Sequence, residues 1–193
     1  MVGIMKALYI DTTTSDLVVA LVKEDGVISV SQKAMGVKHS ETLCGKVAEL
    51  LQTAELTFND LDAYACAIGP GSFTGIRIGI STIKGYATAC PKPLIAVNCL
   101  EAIACSPNCR GNGISVIDAG NGYYCYSSST GTLDHVISYD DEICKAAATA
   151  NGGADCLDGA AEIVRNKFNC GQFDDNLTPL YIRKSQAEIN LKR

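Results

Sequence analysis

Two short turns carry residue types that could bind phosphate. Asp11-Thr12-Thr13-Thr14-Ser15 joins an acidic residue to a run of hydroxyls, directly after an apolar stretch. Asp118-Ala119-Gly120-Asn121-Gly122 also follows an apolar stretch and forms a turn of small residues. Each half of the chain therefore opens with a strand, an aspartate and a small-residue turn, which indicates a weak internal repeat. For the first turn alone, an ordinary polar hairpin loop is the simpler interpretation.

The repeat resembles the two related lobes of actin-like ATPases and sugar kinases, in which the first turn lies near the nucleotide phosphates. An ATPase or kinase of this kind would use Asp11 and Asp118, with Thr12 and Gly120 in the two phosphate turns. It would also need an adenosine-binding segment, for which Asn151-Gly152-Gly153 is the single candidate. The chain thus has the outline of an ATPase but few residues to carry out the chemistry.

The sequence lacks the motifs of several other enzyme classes. A Walker phosphate loop needs Lys-Ser/Thr where the sequence has Ile76-Arg77, and residues 71–75 do not match the nucleophile elbow GxSxG. The histidines, His39 and His135, lie far apart in sequence, and no metal hydrolase motif is present. The cysteines form no CxxC pair. We therefore predict no catalytic residue and no bound metal.

The segment 69–80 organises the chain. A predicted strand over 63–68 ends at Gly-Pro-Gly, and a helix follows that Ser72 or Thr74 is expected to cap. The helix face predicted to attach to its own sheet carries Ile76, Ile80, Ile83 and Ala87. The face predicted to meet a partner carries Gly75, Gly79, Thr82 and Tyr86. Glycine costs a helix about 1 kcal/mol, so a close approach of another backbone is expected; internal strand–helix packing explains the same spacing equally well.

The elements around these residues follow an α/β pattern. Three predicted strands precede a helix over 41–54, and turn formers at 106–113 mark a boundary. We predict an N-terminal lobe over 1–105, which carries the partner-binding helices, and a shorter C-terminal lobe over 113–193.

Composition limits the class of protein. The chain has 193 residues, of which 47% are hydrophobic and 19% are charged, and this suffices for a buried core. The net charge of −5 is spread without runs, which disfavours a stand-alone nucleic-acid-binding protein. The sequence shows no signal peptide and no membrane-spanning stretch, so a cytoplasmic protein with reduced thiols is expected.

Four motifs resemble the bacterial TsaB (YeaZ) family, and they follow the family's order along nearly the whole chain. The motifs are His39-Ser40-Glu41-Thr42-Leu43, Gly69-Pro70-Gly71-Ser72-Phe73-Thr74-Gly75-Ile76-Arg77-Ile78-Gly79, Ile117-Asp118-Ala119 and Pro179-Leu180-Tyr181-Ile182-Arg183. The resemblance implies an α/β, actin-like fold (ASKHA, ribonuclease H-like) of two lobes, the second lobe shortened.

The resemblance also implies a function. Members of this family are non-catalytic subunits, or pseudo-enzymes, needed for threonylcarbamoyl transfer to adenosine 37 of tRNA (t6A synthesis), and they bind and activate the TsaD transferase. The implied partners are TsaD and the ATPase TsaE, with tRNA reached only through the complex and a homodimer formed by the isolated chain. No cofactor is implied, although a nucleotide at the partner interface stays open.

The same resemblance places the partner surface on the two helices of the first lobe. The residues predicted to bind the partner are His39, Leu43, Val47, Leu50, Gly75, Arg77, Ile78, Gly79, Thr82 and Tyr86. A Gly79→Arg variant is accordingly expected to stay folded and to lose its partners.

The chain departs from its relatives at two places. Catalytic relatives carry two metal-binding histidines where this sequence has Cys99 and Ile103, and an isoleucine cannot bind metal. The family usually has an arginine and a glutamate where this sequence has Gly120 and Tyr123. The first departure supports a non-catalytic subunit, and the second keeps a small actin-like ATPase or kinase as the alternative.

Overall fold

The computed structural model describes residues 5–32, 38–107, 114–118, 123–127, 132–136 and 153–181. The strands in these residues are β1 (Lys6–Asp11), β2 (Leu17–Lys23), β3 (Gly26–Gln32), β4 (Ala63–Gly69), β5 (Leu94–Asn98), β6 (Ile114–Asp118), β7 (Tyr123–Ser127) and β8 (Thr132–Val136). The α-helices are α1 (His39–Thr53), α2 (Phe73–Ala89), α3 (Cys99–Cys105) and α4 (Leu157–Asn169).

The larger sheet has five strands in the order β3-β2-β1-β4-β5. Strands β1, β2 and β3 pair antiparallel, as expected for strands joined by short turns, whereas β1, β4 and β5 pair parallel. The parallel pairs require crossover connections, which α1 and α2 supply. Every residue of β1 after Lys6 is buried because helices cover both faces of the sheet.

Alternate side chains of the sheet enter two apolar layers. On one face Leu8 and Ile10 of β1 pack with α1 and α2. The residues that these helices contribute to the layer include Leu43, Val47, Leu50, Ile76, Ile80 and Ile83. On the other face Ala7 and Tyr9 pack with α3 and α4, which contribute Ala102, Ile103, Ala160 and Val164, among others. The sheet is therefore the middle layer of an α/β/α sandwich.

The smaller sheet has three antiparallel strands in the order β6-β7-β8. It is joined to the larger unit through α3, because the buried hydroxyl of Ser115 in β6 donates a hydrogen bond to the carbonyl of Leu100 over 2.6 Å.

The chain returns to the larger sheet after the smaller one. From α4, Arg165 donates to the carbonyls of Lys23 (2.8 Å) and Gly26 (3.2 Å), and Lys167 donates to the carbonyl of Ala96 (2.9 Å). Residues 153–181 thus pack on the first sheet, although the sequence places them in the C-terminal lobe. An amphipathic helix of this length does not specify which sheet it covers. The predicted boundary at 106–113 lies mostly outside the described residues and stays a prediction.

The segment after α4 also covers the edge of the sheet at β5. Asp174 donates from its backbone N–H to the carbonyl of Leu94 (2.9 Å), and its carboxylate accepts from the N–H of Ala96 (2.7 Å). Hydrogen-bonding groups of this edge strand are thereby satisfied within the chain.

Candidate functional site

The predicted phosphate turn lies where the parallel strands β1, β4 and β5 end on the same edge of the sheet. In open α/β sheets this edge is the usual ligand site, since the helices that follow point their amino termini toward it. Here the turn after Asp11, the Gly-Pro-Gly segment after β4 and the start of α3 at Cys99 meet.

The turn is closed by bonds to the protein itself. Thr13 donates to the carboxylate of Asp11 from its backbone N–H (2.8 Å) and from its hydroxyl (2.6 Å). The hydroxyl of Thr12 donates to the carbonyl of Gly75 (2.7 Å), and the N–H of Ser72 donates to the carbonyl of Thr13 (2.6 Å). The donors that would hold a phosphate are thus used to fix the start of α2 on β1.

The side chain of Asp11 is 4% exposed, and no ion pair with it is found in the described part of the chain. Loss of solvation raises the pKa of this carboxyl, while hydrogen bonds from Thr13, the charge of His39 and a hydrogen bond with Tyr9 act in the opposite direction. Burial also raises the pKa of Cys99 and keeps its thiol neutral. Because the Thr13 hydroxyl donates its proton to Asp11, the Cys99 thiol is left as the donor toward the Thr13 oxygen at 3.4 Å. These side chains form a buried polar cluster beneath the turn.

An Asp11→Asn variant tests this cluster through the pH dependence of stability. The pKa of the Asp11 carboxyl is higher in the folded protein than in the unfolded chain. Protonated Asp11 therefore stabilises the fold fully at pH values below the unfolded-state pKa, and this contribution is lost as pH rises through the folded-state pKa. The asparagine oxygen keeps both bonds from Thr13 and carries no charge. We expect a thermal midpoint at pH 7.5 a few degrees above that of the parent, with the difference vanishing near pH 4.

The control for this measurement is Asp175→Asn, because Asp175 is exposed and its substitution should move the midpoint at neither pH. A thermal midpoint of Asp11→Asn below that of the parent at pH 7.5 would contradict the expectation. It would show that the buried charge of Asp11 stabilises the fold.

The two helix glycines face the sheet and not a partner, which corrects the prediction. Gly75 and Gly79 are buried, and a Cβ on Gly75 would collide with the carbonyl oxygen of Thr12. A Cβ on Gly79 would lie 2.6 Å from the Thr12 hydroxyl and 3.3 Å from the Cys66 sulfur. The close approach that the spacing indicates is therefore between α2 and the strands β1 and β4.

Three other predicted partner residues are also internal. Leu43, Val47 and Leu50 of α1 are at most 1% exposed in the layer between α1, α2 and the sheet, so Val47 and Leu50 present no surface to another chain and Leu43 presents almost none. Their spacing marks the core face of an amphipathic helix. His39 is half-buried at the start of α1, where Nε2 donates to the carbonyl of Ser15 over 3.0 Å.

Tyr86, near the end of α2, belongs to an internal aromatic group. Its ring centroid lies 4.7 Å from that of Phe58 and 6.4 Å from that of Tyr64, and the residue is half-buried. Only part of its surface is therefore open to a partner.

The surface that α1 and α2 leave open is a groove of about 440 Å³, here named the helix groove. It includes Leu43, Arg77, Ile78 and Thr82 of the predicted partner residues. The remaining lining residues are Ser40, Cys44, Phe73, Thr74 and Ser81. The groove is mostly apolar with a rim of small hydroxyl side chains, a composition that suits contact with another protein segment.

One wall of the helix groove is an aromatic and cationic stack that the sequence did not reveal. The guanidinium of Arg77 lies 4.0 Å from the ring centroid of Phe73, and its Nε donates to the hydroxyl of Tyr181 over 2.9 Å. The rings of Phe73 and Tyr181 stack at 4.3 Å. The signal in the sequence was the Pro179-Leu180-Tyr181 motif, whose contact with residues 69–79 a linear pattern cannot show.

The segment that carries Tyr181 is held against the Gly-Pro-Gly break. The N–H of Leu180 donates to the carbonyl of Ile68 (2.8 Å), and a Cβ on Gly69 would lie 2.6 Å from the carbonyl oxygen of Leu180. Gly69 has φ +114°, a conformation that favours glycine. The motif at 69–79 and the motif at 179–183, which are far apart in the sequence, thus form one structural unit.

Within the described residues, no group of three or more His, Cys, Asp or Glu side chains is arranged to hold a metal. Cys99 is buried at the start of α3, and Ile103 is fully buried in the core. The side chain of Asp118 and the whole of Gly120 lie outside the described residues. None of the helices in the described part of the chain has the length and apolar character that a bilayer crossing requires.

Comparison with known proteins gives consistent matches. A family model described as "TsaD: tRNA N6-adenosine threonylcarbamoyltransferase" matches residues 30–150. The chain is 34% identical over 137 residues to "tRNA threonylcarbamoyladenosine biosynthesis protein TsaB" of Bacillus subtilis, an alignment covering 69% of this chain and 60% of that protein. It is 36% identical over 100 residues to the protein of the same name from Escherichia coli, covering 52% and 43%. The alignments thus span less than two thirds of either relative.

Among solved structures, YeaZ from Pseudomonas aeruginosa superimposes with a TM-score of 0.71 at 23% identity, covering 92% of this chain and all of that one. This agreement in fold, together with the match to the TsaD family model, confirms the predicted α/β, actin-like fold.

Proposed function

The chain belongs to the TsaB (YeaZ) family, and from this premise we propose that it is a non-catalytic subunit for threonylcarbamoyl transfer to adenosine 37 of tRNA, which binds and activates the TsaD transferase. The curated relatives are named as threonylcarbamoyladenosine biosynthesis proteins, which supports a role in making this modified nucleoside. The partners in the proposal are TsaD and TsaE, with tRNA reached through the complex and a homodimer in their absence.

The observation that carries the non-catalytic role is the closed turn after β1. The Thr12 and Thr13 hydroxyls and the Thr13 N–H, which would bind a phosphate in a nucleotide-hydrolysing relative, are bonded to Asp11 and Gly75 instead. The turn therefore supports α2, and α2 in turn supplies one side of the helix groove. In this proposal, the edge of the sheet where the parallel strands end supports a protein-binding surface instead of binding a ligand.

The partner site in the proposal is the helix groove together with the exposed side of α1 and α2. Arg77 is held over Phe73 by Tyr181, and Ile78 and Thr82 line the floor and rim. Arginine and aromatic residues are the types most often found at energetically important interface positions. No cofactor is assigned to the chain in this proposal, and a nucleotide at the interface with TsaD is left open.

A small actin-like ATPase or kinase is the second candidate, favoured by the position of Asp11 at the carboxyl end of β1. The burial of Asp11 and the bonds that Thr13 makes to it argue against this role.

Reconstitution tests the proposal directly. TsaD, TsaE, ATP and threonylcarbamoyl donor are incubated with unmodified tRNA, with and without this chain, and t6A is quantified by nucleoside mass spectrometry. We expect t6A only when the chain is present, and equal modification without it would overturn the proposal. The Asp11→Asn variant separates the two candidates, since it should support t6A formation within about twofold of the parent if this chain does no chemistry.

A further inference from the structure

Arg77 has no charged partner among the described residues, although its guanidinium is held in place at the wall of the helix groove. The group lies 4.0 Å from the ring centroid of Phe73, and its Nε donates to the Tyr181 hydroxyl. Because a guanidinium has five N–H donors, this bond leaves the four N–H groups of the two terminal nitrogens. No acceptor in the described part of the chain is bonded to those four, and Arg77 is exposed.

No carboxylate described in the structure lines the helix groove or lies on α2. The lining residues other than Arg77 are apolar or carry a hydroxyl or thiol group, and α2 contains neither Asp nor Glu. On α1, Glu49 lies 2.8 Å from the amine of Lys46. Glu41 lies 3.9 Å from the amine of Lys38. Arg77 is therefore an open positive charge on a chain whose net charge is −5.

We propose that Arg77 binds a carboxylate side chain of the protein segment that docks in the helix groove. A guanidinium and a carboxylate form two parallel hydrogen bonds, and the apolar lining of the groove receives the residues on either side of the acidic one. The groove thus selects a segment in which an aspartate or glutamate is flanked by apolar residues. The identity of the protein that carries this segment, TsaD, rests on the proposed function.

The charge pattern favours this occupant over two others. An RNA backbone is bound by several cations in a row, whereas the helix groove is lined by one. A second copy of the chain would present the same surface in a two-fold pairing, and that surface offers Arg77 no carboxylate among its lining residues. A different protein with an acidic residue complements the groove better than either.

Tyr181 is a positioning residue in this proposal. Its hydroxyl accepts the Nε bond, and its ring stacks on Phe73 at 4.3 Å, so the guanidinium is ordered before a partner arrives. A side chain that is already ordered loses less freedom on binding. Tyr181→Phe keeps the ring and removes the acceptor. We expect it to lower the affinity for TsaD about fivefold in the parent chain and to have no effect in a chain that also carries Arg77→Gln.

The main test is the affinity of full-length variants for TsaD, measured by calorimetry after circular dichroism has shown each variant to be folded. We expect Arg77→Gln to bind about 30-fold more weakly than the parent, as for loss of one member of a hydrogen-bonded charge pair. Arg77→Lys keeps the charge but not the planar fork, and we expect it to bind about tenfold more weakly.

Lys84→Gln is the matched control, because it removes the same charge from the same helix at a residue that does not line the groove. Its affinity should stay within about twofold of the parent. An unchanged affinity for Arg77→Gln would overturn the proposal. Equal losses for Arg77→Gln and Lys84→Gln would also overturn it, because only the overall charge would then matter.

The Arg77→Lys variant also identifies the carboxylate. A carbodiimide condenses an amine with a carboxylate that touches it, whereas it does not join the arginine of the parent. We expect peptide mass spectrometry to find position 77 of this variant joined to one acidic residue of TsaD. Conversion of that residue to its amide should weaken binding of the parent about 30-fold and leave binding of Arg77→Gln unchanged. A parent that binds the amide form normally would contradict the proposal.

A displayed library of random peptides separates this proposal from the proposed function, because it needs no TsaD. The parent chain should enrich peptides that carry an Asp or Glu between apolar residues, and Arg77→Gln should not retain them. Absence of enriched peptides, or equal retention by the two chains, would overturn the carboxylate site. Tight TsaD binding that Arg77→Gln does not change contradicts only the carboxylate site. Acidic peptides that depend on Arg77, without TsaD binding by the parent, contradict only the assigned partner.

Discussion

Replacement of Gly75 by alanine is expected to destabilise the protein by about 3 kcal/mol, a large fraction of the stability of a typical domain. The added Cβ would collide with the carbonyl oxygen of Thr12, a backbone atom. The turn that carries this atom is fixed by the bond from Ser72 to Thr13, and the Thr12 hydroxyl is bonded to the Gly75 carbonyl. Neither α2 nor β1 can therefore move away from the other at a low cost in free energy. Thermal unfolding should show a midpoint about 10 °C lower.

The matched control is on the same helix. Gly85 of α2 has no atom within 4 Å of the position that a Cβ would take, so Gly85→Ala should be neutral or should stabilise the helix by up to about 1 kcal/mol. Similar midpoints for the two variants would show that Gly75 is not tightly packed. The Gly79→Arg variant, expected from the sequence to stay folded, is expected from the structure to unfold, because Gly79 is buried against Thr12 and Cys66.

A second large effect is expected for Ser81→Arg, which should leave the fold intact and lower the affinity for TsaD by about 100-fold. Ser81 is exposed on α2 and lines the helix groove. An arginine there places a long charged side chain where another protein is proposed to dock, and the core residues Ile76, Ile80 and Ile83 are unchanged. Size-exclusion chromatography with TsaD and the t6A assay measure the loss.

Asn166→Arg is the control for charge and size. Asn166 is exposed on α4, on the opposite side of the sheet from α2, so its substitution should affect neither stability nor TsaD binding. A Ser81→Arg chain that is folded by circular dichroism and binds TsaD normally would place the partner site elsewhere.

Local patterns in the sequence were sufficient for most of the first sheet. Alternating or continuous apolar residues mark β1, β2 and β4, and the predicted helix over 41–54 corresponds to α1 (His39–Thr53). Ser72, predicted as one of two caps, accepts a hydrogen bond from the N–H of Gly75. These features depend on neighbours within a few residues.

The direction of the glycine face could not be predicted because it depends on a contact far away in sequence. Gly75 packs on Thr12, and the spacing of Gly75 and Gly79 fits close approach to a strand as well as to a helix. Gly75 and Gly79 lie beside Ile76, Ile80 and Ile83 on α2, and all five residues are buried. A smaller part of the surface of α2 is therefore open to a partner than the sequence pattern predicts.

The same limit applies to the candidate site. Arg77 and Ile78 were predicted to bind the partner and do lie on the open side of α2. The role of Tyr181 depends on its hydrogen bond with Arg77, which lies 104 positions earlier in the sequence. The periodicity of residues within one segment cannot predict such a contact.

The anchoring of α4 by Arg165 sets the order in which the protein can be completed on the ribosome. The bond from Arg165 reaches Lys23, 142 residues earlier. At about 5–20 residues per second, translation of that interval takes roughly 7–28 s. During the last part of this time α3 has been made and α4 has not, so of these two helices α3 alone can shield the apolar side that both later cover. We therefore expect the apolar side that α4 covers to stay open to solvent and to chaperones until translation has passed α4.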